Sequence, residues 1–379
     1  MQMKKYGLCL LAALMAFAAA YAVLFLCTHG SMLPEKRTEY YEQKAKAEAD
    51  SATGAEAELM ALLLGAAPAA PAKEEENDTS FSFQTSDFSG ALAVFTLVFS
   101  LIYIFFYGRK PEENKGALWA YILAVPLGLI GARLLYCLTD IVFYLKDIEA
   151  PVAMLKMWEG GLSLTGALSV IALAGVIGSK IAKEKPLQVL NQMAPFLLLF
   201  AISVSAANTY IGAGWGPEAS LSLFFVYVNH QKRLDTARLT VLILIVLWFI
   251  LEYLFRKKKL PQNRRFFYTA FLFGCLMVPL ESLRRDGHMV WGFVHAEMLY
   301  AMAMALPAGL ALVKKNRRIP LLIATALLAG CVIGLEFMLD RSNINDWLLY
   351  IVYILCMAGY IFVGLKWANR ACEQAENNV

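Results

Sequence analysis

Long apolar blocks alternate with short charged loops along most of the chain. Blocks at 7–27, 89–107, 117–138, 161–179, 187–207, 237–255, 266–283, 292–313, 319–339 and 346–365 each hold about the 20 residues that a helix needs to cross the hydrocarbon core. Backbone groups in lipid must be satisfied within the segment, which selects helices or closed barrels. A barrel would carry short strands of alternating polarity, and none is evident. The pattern predicts an all-α fold, a polytopic transmembrane helical bundle of about ten spans.

Two stretches break the rhythm. The first block follows Met1-Gln-Met-Lys-Lys and resembles a signal sequence. It is long for one and lacks a small-x-small cleavage site, so 1–27 is expected to be an uncleaved membrane anchor. Residues 28–88 are polar. Glu35 to Leu64 is rich in Ala, Glu, Lys and Leu and favours helix, whereas Ala66 to Asp87, rich in Ala, Pro, acids and Ser, favours linker. This segment is expected to be extracytoplasmic. The later blocks divide into 89–313, a seven-span core, and 314–379, two further spans with a short tail.

Composition agrees with the pattern. The chain is 59% hydrophobic and 17% charged, against about 25% charged for soluble domains. The net charge of +4 is small, and no basic patch interleaved with aromatics points to nucleic acid. The placement of charge says more. With the N-terminus inside, the inner loops carry Lys4/Lys5, Arg109/Lys110, Lys180/Lys183/Lys185, Arg256–Lys259 with Arg264/Arg265, Lys314–Arg318 and Lys366/Arg370. The positive-inside rule then puts both termini in the cytoplasm, and the chain is expected in the plasma (inner) membrane. The seven cysteines lie almost all in apolar blocks without CxxC or zinc-type spacing, and read as small buried hydrophobes.

Ionisable groups inside spans are costly and need partners or a cavity. Arg133, Glu252, Glu281, Glu297 and Glu336 are such groups. Glu252, beside Arg256, and Glu336, near Asp340 and Arg341, read as interfacial. Arg133 lies deeper, with Glu281 or Asn208 as reasonable partners. Trp158–Ala167 and Ala206–Pro217 are glycine-rich and meet spans at the outer face, which suits either close helix packing or a polar pocket. The outer turn Glu281-Ser-Leu-Arg284-Arg285-Asp286-Gly-His288 opposes the charge bias. It reads as interfacial snorkelling or as a bidentate phosphate clamp.

Together these residues resemble the prolipoprotein diacylglyceryl transferase family. Ile130-Gly-Ala-Arg133-Leu-Leu-Tyr136 is similar to the family's Gly-Ala-Arg-Leu-Gly-Tyr. Trp158-Glu159-Gly160-Gly161-Leu-Ser163 is similar to its Trp-Asp/Glu-Gly-Gly-Met-Ser turn. Ala207-Asn208 through Gly212 to Gly216 stands at its signature, and Leu280-Glu281-Ser-Leu-Arg284 at its Val-Glu-Phe-Phe-Arg. The resemblance implies a seven-span core that binds phosphatidylglycerol at the outer leaflet. It further implies transfer of the diacylglyceryl group to the cysteine thiol of a lipoprotein signal peptide, with glycerol phosphate released. Partners would be that phospholipid and prolipoprotein signal peptides, with no nucleic acid, metal or organic cofactor. The substrate-binding residues carried over are Arg133, Asn208, Gly216, Glu281 and Arg284, with Arg285 beside them.

Several family positions are changed. A tyrosine of the first span is Ser89, the histidine after the Gly-Gly turn is Thr165, and the signature arginine is Ser205. The signature glutamate is Ala213, and the arginine four residues before Glu281 is Met277. No catalytic residue can be carried over. Three readings stay open: a divergent transferase using substitute groups, a lipid- or lipoprotein-binding relative without catalysis, and an unrelated transporter.

Overall fold

The computed structural model describes residues 91–98 except 93, 115–139, 141, 144, 154, 161–210, 212–218, 224–228, 231–286, 289–291, 293–342 and 344–376. The expected anchor, the 28–88 segment and most of the block at 89–107 lie outside these residues, as does His288. Eight long helices are described: α1 Lys115–Thr139, α2 Leu164–Ala182, α3 Pro186–Tyr210, α4 Thr236–Arg256, α5 Arg265–Ser282, α6 Ala296–Leu312, α7 Lys315–Arg341 and α8 Asp346–Glu376. Five of them (α2, α3, α4, α7 and α8) are long and apolar enough to cross a membrane. They become six if α1, bent by 51° where its halves meet at Pro126, forms one span. This is a multi-pass helical membrane protein.

Local chemistry sets the helix ends. Ser163 caps α2 by accepting a hydrogen bond from Gly166 N, and Lys183, in the left-handed region, closes it. Asp235 caps α4 by accepting from Arg238 N at 2.8 Å. Pro186 opens α3, where a missing N–H costs nothing.

Packing follows side-chain size. α1 and α2 lie backbone against backbone: a Cβ on Gly166 would sit 2.6 Å from the Gly131 carbonyl oxygen, and one on Gly178 2.6 Å from that of Gly116. α5 is nearly all buried, with α6, α3, α8 and α4 packed around it. The outer faces of α7 and α8 remain apolar and exposed, as at Leu327, Ile351 and Leu355, which suits contact with lipid. Cys137 and Cys275 are buried as expected, but Cys331 is exposed on the lipid-facing side of α7.

The bundle has two chemically distinct ends. At the basic end, Arg265 and Arg256 both bind Glu252, the latter at 2.9 Å. Glu252, expected at the interface, lies at this basic end but is buried and paired with both arginines. The other end carries small sheets that an all-α reading did not anticipate. Strands β1 Trp215–Glu218, β2 Phe225–Val228 and β3 Gln231–Asp235 form an antiparallel sheet in the order β1-β3-β2. Strands β4 Val290–Trp291 and β5 Val294–His295 form a hairpin. Short connections between spans have little apolar periodicity, so only the ladder itself reveals these strands. β3 runs straight into α4, and β5 into α6, so both sheets fix helix starts at this end.

Candidate functional site

The strand-bearing end gathers nearly every buried polar group that the sequence singled out. α5 ends there at Ser282, and the turn that follows brings back Arg284. Its Nη1 donates to Glu281 Oε2 at 3.3 Å, and its Nη2 donates to Asp286 Oδ2 at 2.6 Å. Asp286 also accepts from Gly214 N at 2.9 Å. These two acids hold the Arg284 guanidinium firmly in its charged form, although burial alone opposes it. The turn is clamped further by Arg285 N, which donates to Trp215 O at 2.8 Å.

Gly216 explains why the loop after α3 can lie against this turn. A Cβ there would sit 2.7 Å from Leu283 O and 2.7 Å from Thr236 Cγ2, so only glycine allows the approach. Asn208, on the last turn of α3 and half-buried, accepts from Ala213 N through its backbone carbonyl at 2.9 Å. It thereby shapes the Gly212–Gly214 turn that presents the Gly214 amide to Asp286. Burial also raises Asp235 above the ordinary carboxylate range, partly offset by the backbone hydrogen bond and charge of Arg238.

Arg133 does something other than pair with Glu281. Its Nε donates to Met154 O at 3.0 Å and its Nη1 to Gly161 O at 3.3 Å. The guanidinium carbon lies 5.7 Å from the Tyr136 ring centre and 5.8 Å from that of Tyr144. Glu281 takes its cation from three residues along its own chain instead. A near neighbour in sequence reaches it without crossing the bundle, whereas carbonyls and rings surround Arg133 where it sits. Ser163 N donates to Ala132 O at 3.0 Å, so Arg133 and the cap of α2 pin one turn from both sides.

That turn delivers Thr165. Its hydroxyl donates to Glu297 Oε2 at 2.5 Å, and Ser163 Oγ is 3.2 Å from it. Glu297 sits in the first turn of α6, only 3% exposed, and its charge acts on both Glu281 and Arg284. Among the described residues, Glu297 Oε1 and Arg284 Nε are buried without a hydrogen-bond partner.

Arg285 belongs to a third group. Its Nη2 donates to Tyr350 OH at 3.1 Å, and that hydroxyl donates to Ser282 O at 3.2 Å. Ser282 Oγ donates to Glu336 Oε1. Glu336 is 2% exposed and faces the core, not the interface expected from its neighbours Asp340 and Arg341. Arg341 pairs instead with Asp340 at 3.0 Å on the exposed side. The structure thus brings Glu281, Arg284 and Gly216 to one place. Sequence reasoning missed Asp286, Ser282 and Tyr350 as partners, and the exchange between Thr165 and Glu297. A carboxylate in the first turn of an apolar helix was the available signal for Glu297.

An apolar cavity of about 470 Å³ runs between α1, α2, α3, α5 and α6. Its walls extend from Phe266 and Phe267 near the basic end to Leu135, Leu168 and Tyr300. Leu168 lies three residues after Thr165, and Tyr300 three after Glu297, so each is a helical turn away on the same side. The greasy cavity therefore ends beneath the Thr165–Glu297 pair.

A family model described as prolipoprotein diacylglyceryl transferase matches residues 87–314. A protein of Streptococcus agalactiae serotype Ia, named phosphatidylglycerol–prolipoprotein diacylglyceryl transferase, is 24% identical over 219 residues, 55% of this chain and 83% of its own. One of the same name from Listeria monocytogenes serotype 4b is 23% identical over 243 residues, 61% and 86% of the two chains. Another, from Rhodococcus jostii, is 33% identical over 103 residues, 27% of each. Because the matched segment takes in α1 to α6 and every polar group described above except those on α7 and α8, the chain belongs to the prolipoprotein diacylglyceryl transferase family.

Proposed function

We propose that this protein is a divergent phosphatidylglycerol–prolipoprotein diacylglyceryl transferase, moving the diacylglyceryl group of the phospholipid onto a lipoprotein signal-peptide cysteine. The observation that carries the reading is the apolar cavity of about 470 Å³ ending beneath buried polar groups. Its size falls in the range of ligand pockets. An acyl chain suits such a space because each buried methylene contributes about 0.8 kcal/mol. The polar groups above it would then face the ester and headgroup.

In this reading the substrate-binding positions are Arg133, Asn208, Gly216, Glu281, Arg284 and Arg285, with distinct tasks. Arg133 orders the turn before α2. Asn208 and Gly216 shape the loop against the Glu281–Asp286 turn. Arg284, occupied by two carboxylates, holds that turn. Arg285 donates one N–H to Tyr350 and offers its remaining donors to the phosphate. The site end faces outward by the positive-inside bias of the opposite loops. Both termini then face the cytoplasm, and the proposed reaction on phosphatidylglycerol and signal peptides calls for the plasma membrane. About ten spans follow when the blocks at 7–27 and 89–107 are counted, with an anchor at 1–27, an outer segment at 28–88, a seven-span core at 89–313 and two added spans at 314–379.

One observation favours a second reading, a phospholipid- or lipoprotein-binding relative without catalysis. Both ends of the Arg284 guanidinium are already neutralised, and the family's histidine position holds Thr165. Purified protein incubated with phosphatidylglycerol vesicles and a cysteine-bearing signal peptide separates the two. Formation of diacylglyceryl peptide and glycerol phosphate supports transfer. Retention of phosphatidylglycerol without product supports binding alone.

A further inference from the structure

We propose that Glu297 is the general base that takes the thiol proton, and that Thr165 is its positioning residue; this rests on the transferase reading above. The three carboxylates of the site differ in what holds them. Glu281 accepts from Arg284 at 3.3 Å. Asp286 accepts from Arg284 at 2.6 Å and from Gly214 N at 2.9 Å. Glu297 has no cation within ion-pair distance among the described residues. One of its oxygens is bound by the Thr165 hydroxyl at 2.5 Å and its backbone N at 3.4 Å. The other, Oε1, is buried and has no partner.

A buried carboxylate oxygen without a donor is costly unless a ligand supplies one. A thiol S–H entering above the cavity supplies that donor. Glu281 and Asp286 cannot take the proton without breaking the clamp that shapes the turn, and Thr165 has no basic atom at neutral pH. Thr165 instead holds Oε2 through its hydroxyl and backbone N–H, which leaves Oε1 as the oxygen open to a donor. The fixed geometry comes from two helix starts: α2, capped by the Ser163 side chain, and α6, which begins directly after β5 at His295.

The step balances. The cysteine S–H proton passes to Glu297 Oε1. The thiolate attacks the glyceryl carbon that bears the phosphate ester. The S–C bond forms as that C–O bond breaks, and the electron pair leaves on the ester oxygen as glycerol phosphate. The proton then moves from Glu297 to the departing phosphate or to solvent, which restores the carboxylate.

The test uses the full chain in phosphatidylglycerol nanodiscs with a cysteine signal peptide. Product formation gives kcat and KM, and native mass spectrometry gives phospholipid retention. Glu297→Gln keeps the shape and removes the base, so kcat should fall by about 10²–10⁴-fold with phosphatidylglycerol retained. Thr165→Val should lower kcat about tenfold with KM unchanged, and Thr165→Ser should restore it. An active protein whose Glu297→Gln variant stays within about threefold of it overturns the assignment while leaving the transferase reading intact. So does loss of turnover in His295→Gln but not in Glu297→Gln. If the unmutated protein retains phosphatidylglycerol and makes no product, the transferase reading fails and the assignment falls with it.

Discussion

Removing Arg284 should harm the fold before it harms any ligand contact. Its side chain is 15% exposed, and those of Glu281 and Asp286 are 8% and 12% exposed. Arg284→Ala would strip both buried carboxylates of the guanidinium they share. Breaking one side of a buried ion pair costs about 3–5 kcal/mol. Asp286 would keep the Gly214 amide, so the expected loss lies within that range and does not double it. The assay is unfolding in mixed micelles of increasing denaturing detergent, followed by tryptophan fluorescence. A triple variant, Arg284→Met with Glu281→Gln and Asp286→Asn, removes all three charges and should recover most of the loss. Glu297 would keep its Thr165 contact in that background. A loss below about 1 kcal/mol in Arg284→Ala would refute the reasoning. So would a triple variant no more stable than the single one, since the penalty would then not come from stranded carboxylates.

The α1–α2 contact should tolerate no side chain: Gly166→Ala, whose Cβ would lie 2.6 Å from Gly131 O, should cost about 1–3 kcal/mol in the same assay. Gly330→Ala, with nothing within 4 Å, should instead be neutral or stabilising by up to about 1 kcal/mol. Tyr350→Phe should cost about 0.5–1.5 kcal/mol through its lost hydrogen bonds to Arg285 and Ser282 and should also weaken phosphatidylglycerol retention. Unchanged retention would argue that Arg285 needs no support from α8. Reporter fusions after Lys183, Lys258 and Lys315 should report cytoplasm and one after Ser342 the outside; two reversed reports would overturn the proposed orientation.

The sequence by itself determined that this is a multi-pass helical protein, because block length and hydrophobicity answer directly to membrane thickness and backbone pairing. Among the described residues it also located the helices of the core to within a few residues, and it singled out Glu281 and Arg284 in one turn. Those features depend on local pattern and on motifs that stay together in the chain. Partner choice does not. Glu336 had Arg341 nearby in sequence, yet it accepts from Ser282 on a different helix, whereas Glu281, expected as a partner for Arg133, is held by Arg284 three residues on. Arg133, expected to partner Glu281 or Asn208, is held by the Met154 and Gly161 carbonyls and two tyrosine rings. The added helices α7 and α8 looked like separate spans, but they bring Glu336 and Tyr350 into the core network. The contact between Thr165 and Glu297 joins residues 132 positions apart. No local pattern encodes it, because hydrogen-bond partners of buried groups are decided by which helix faces meet. Only the tertiary structure brings those faces together.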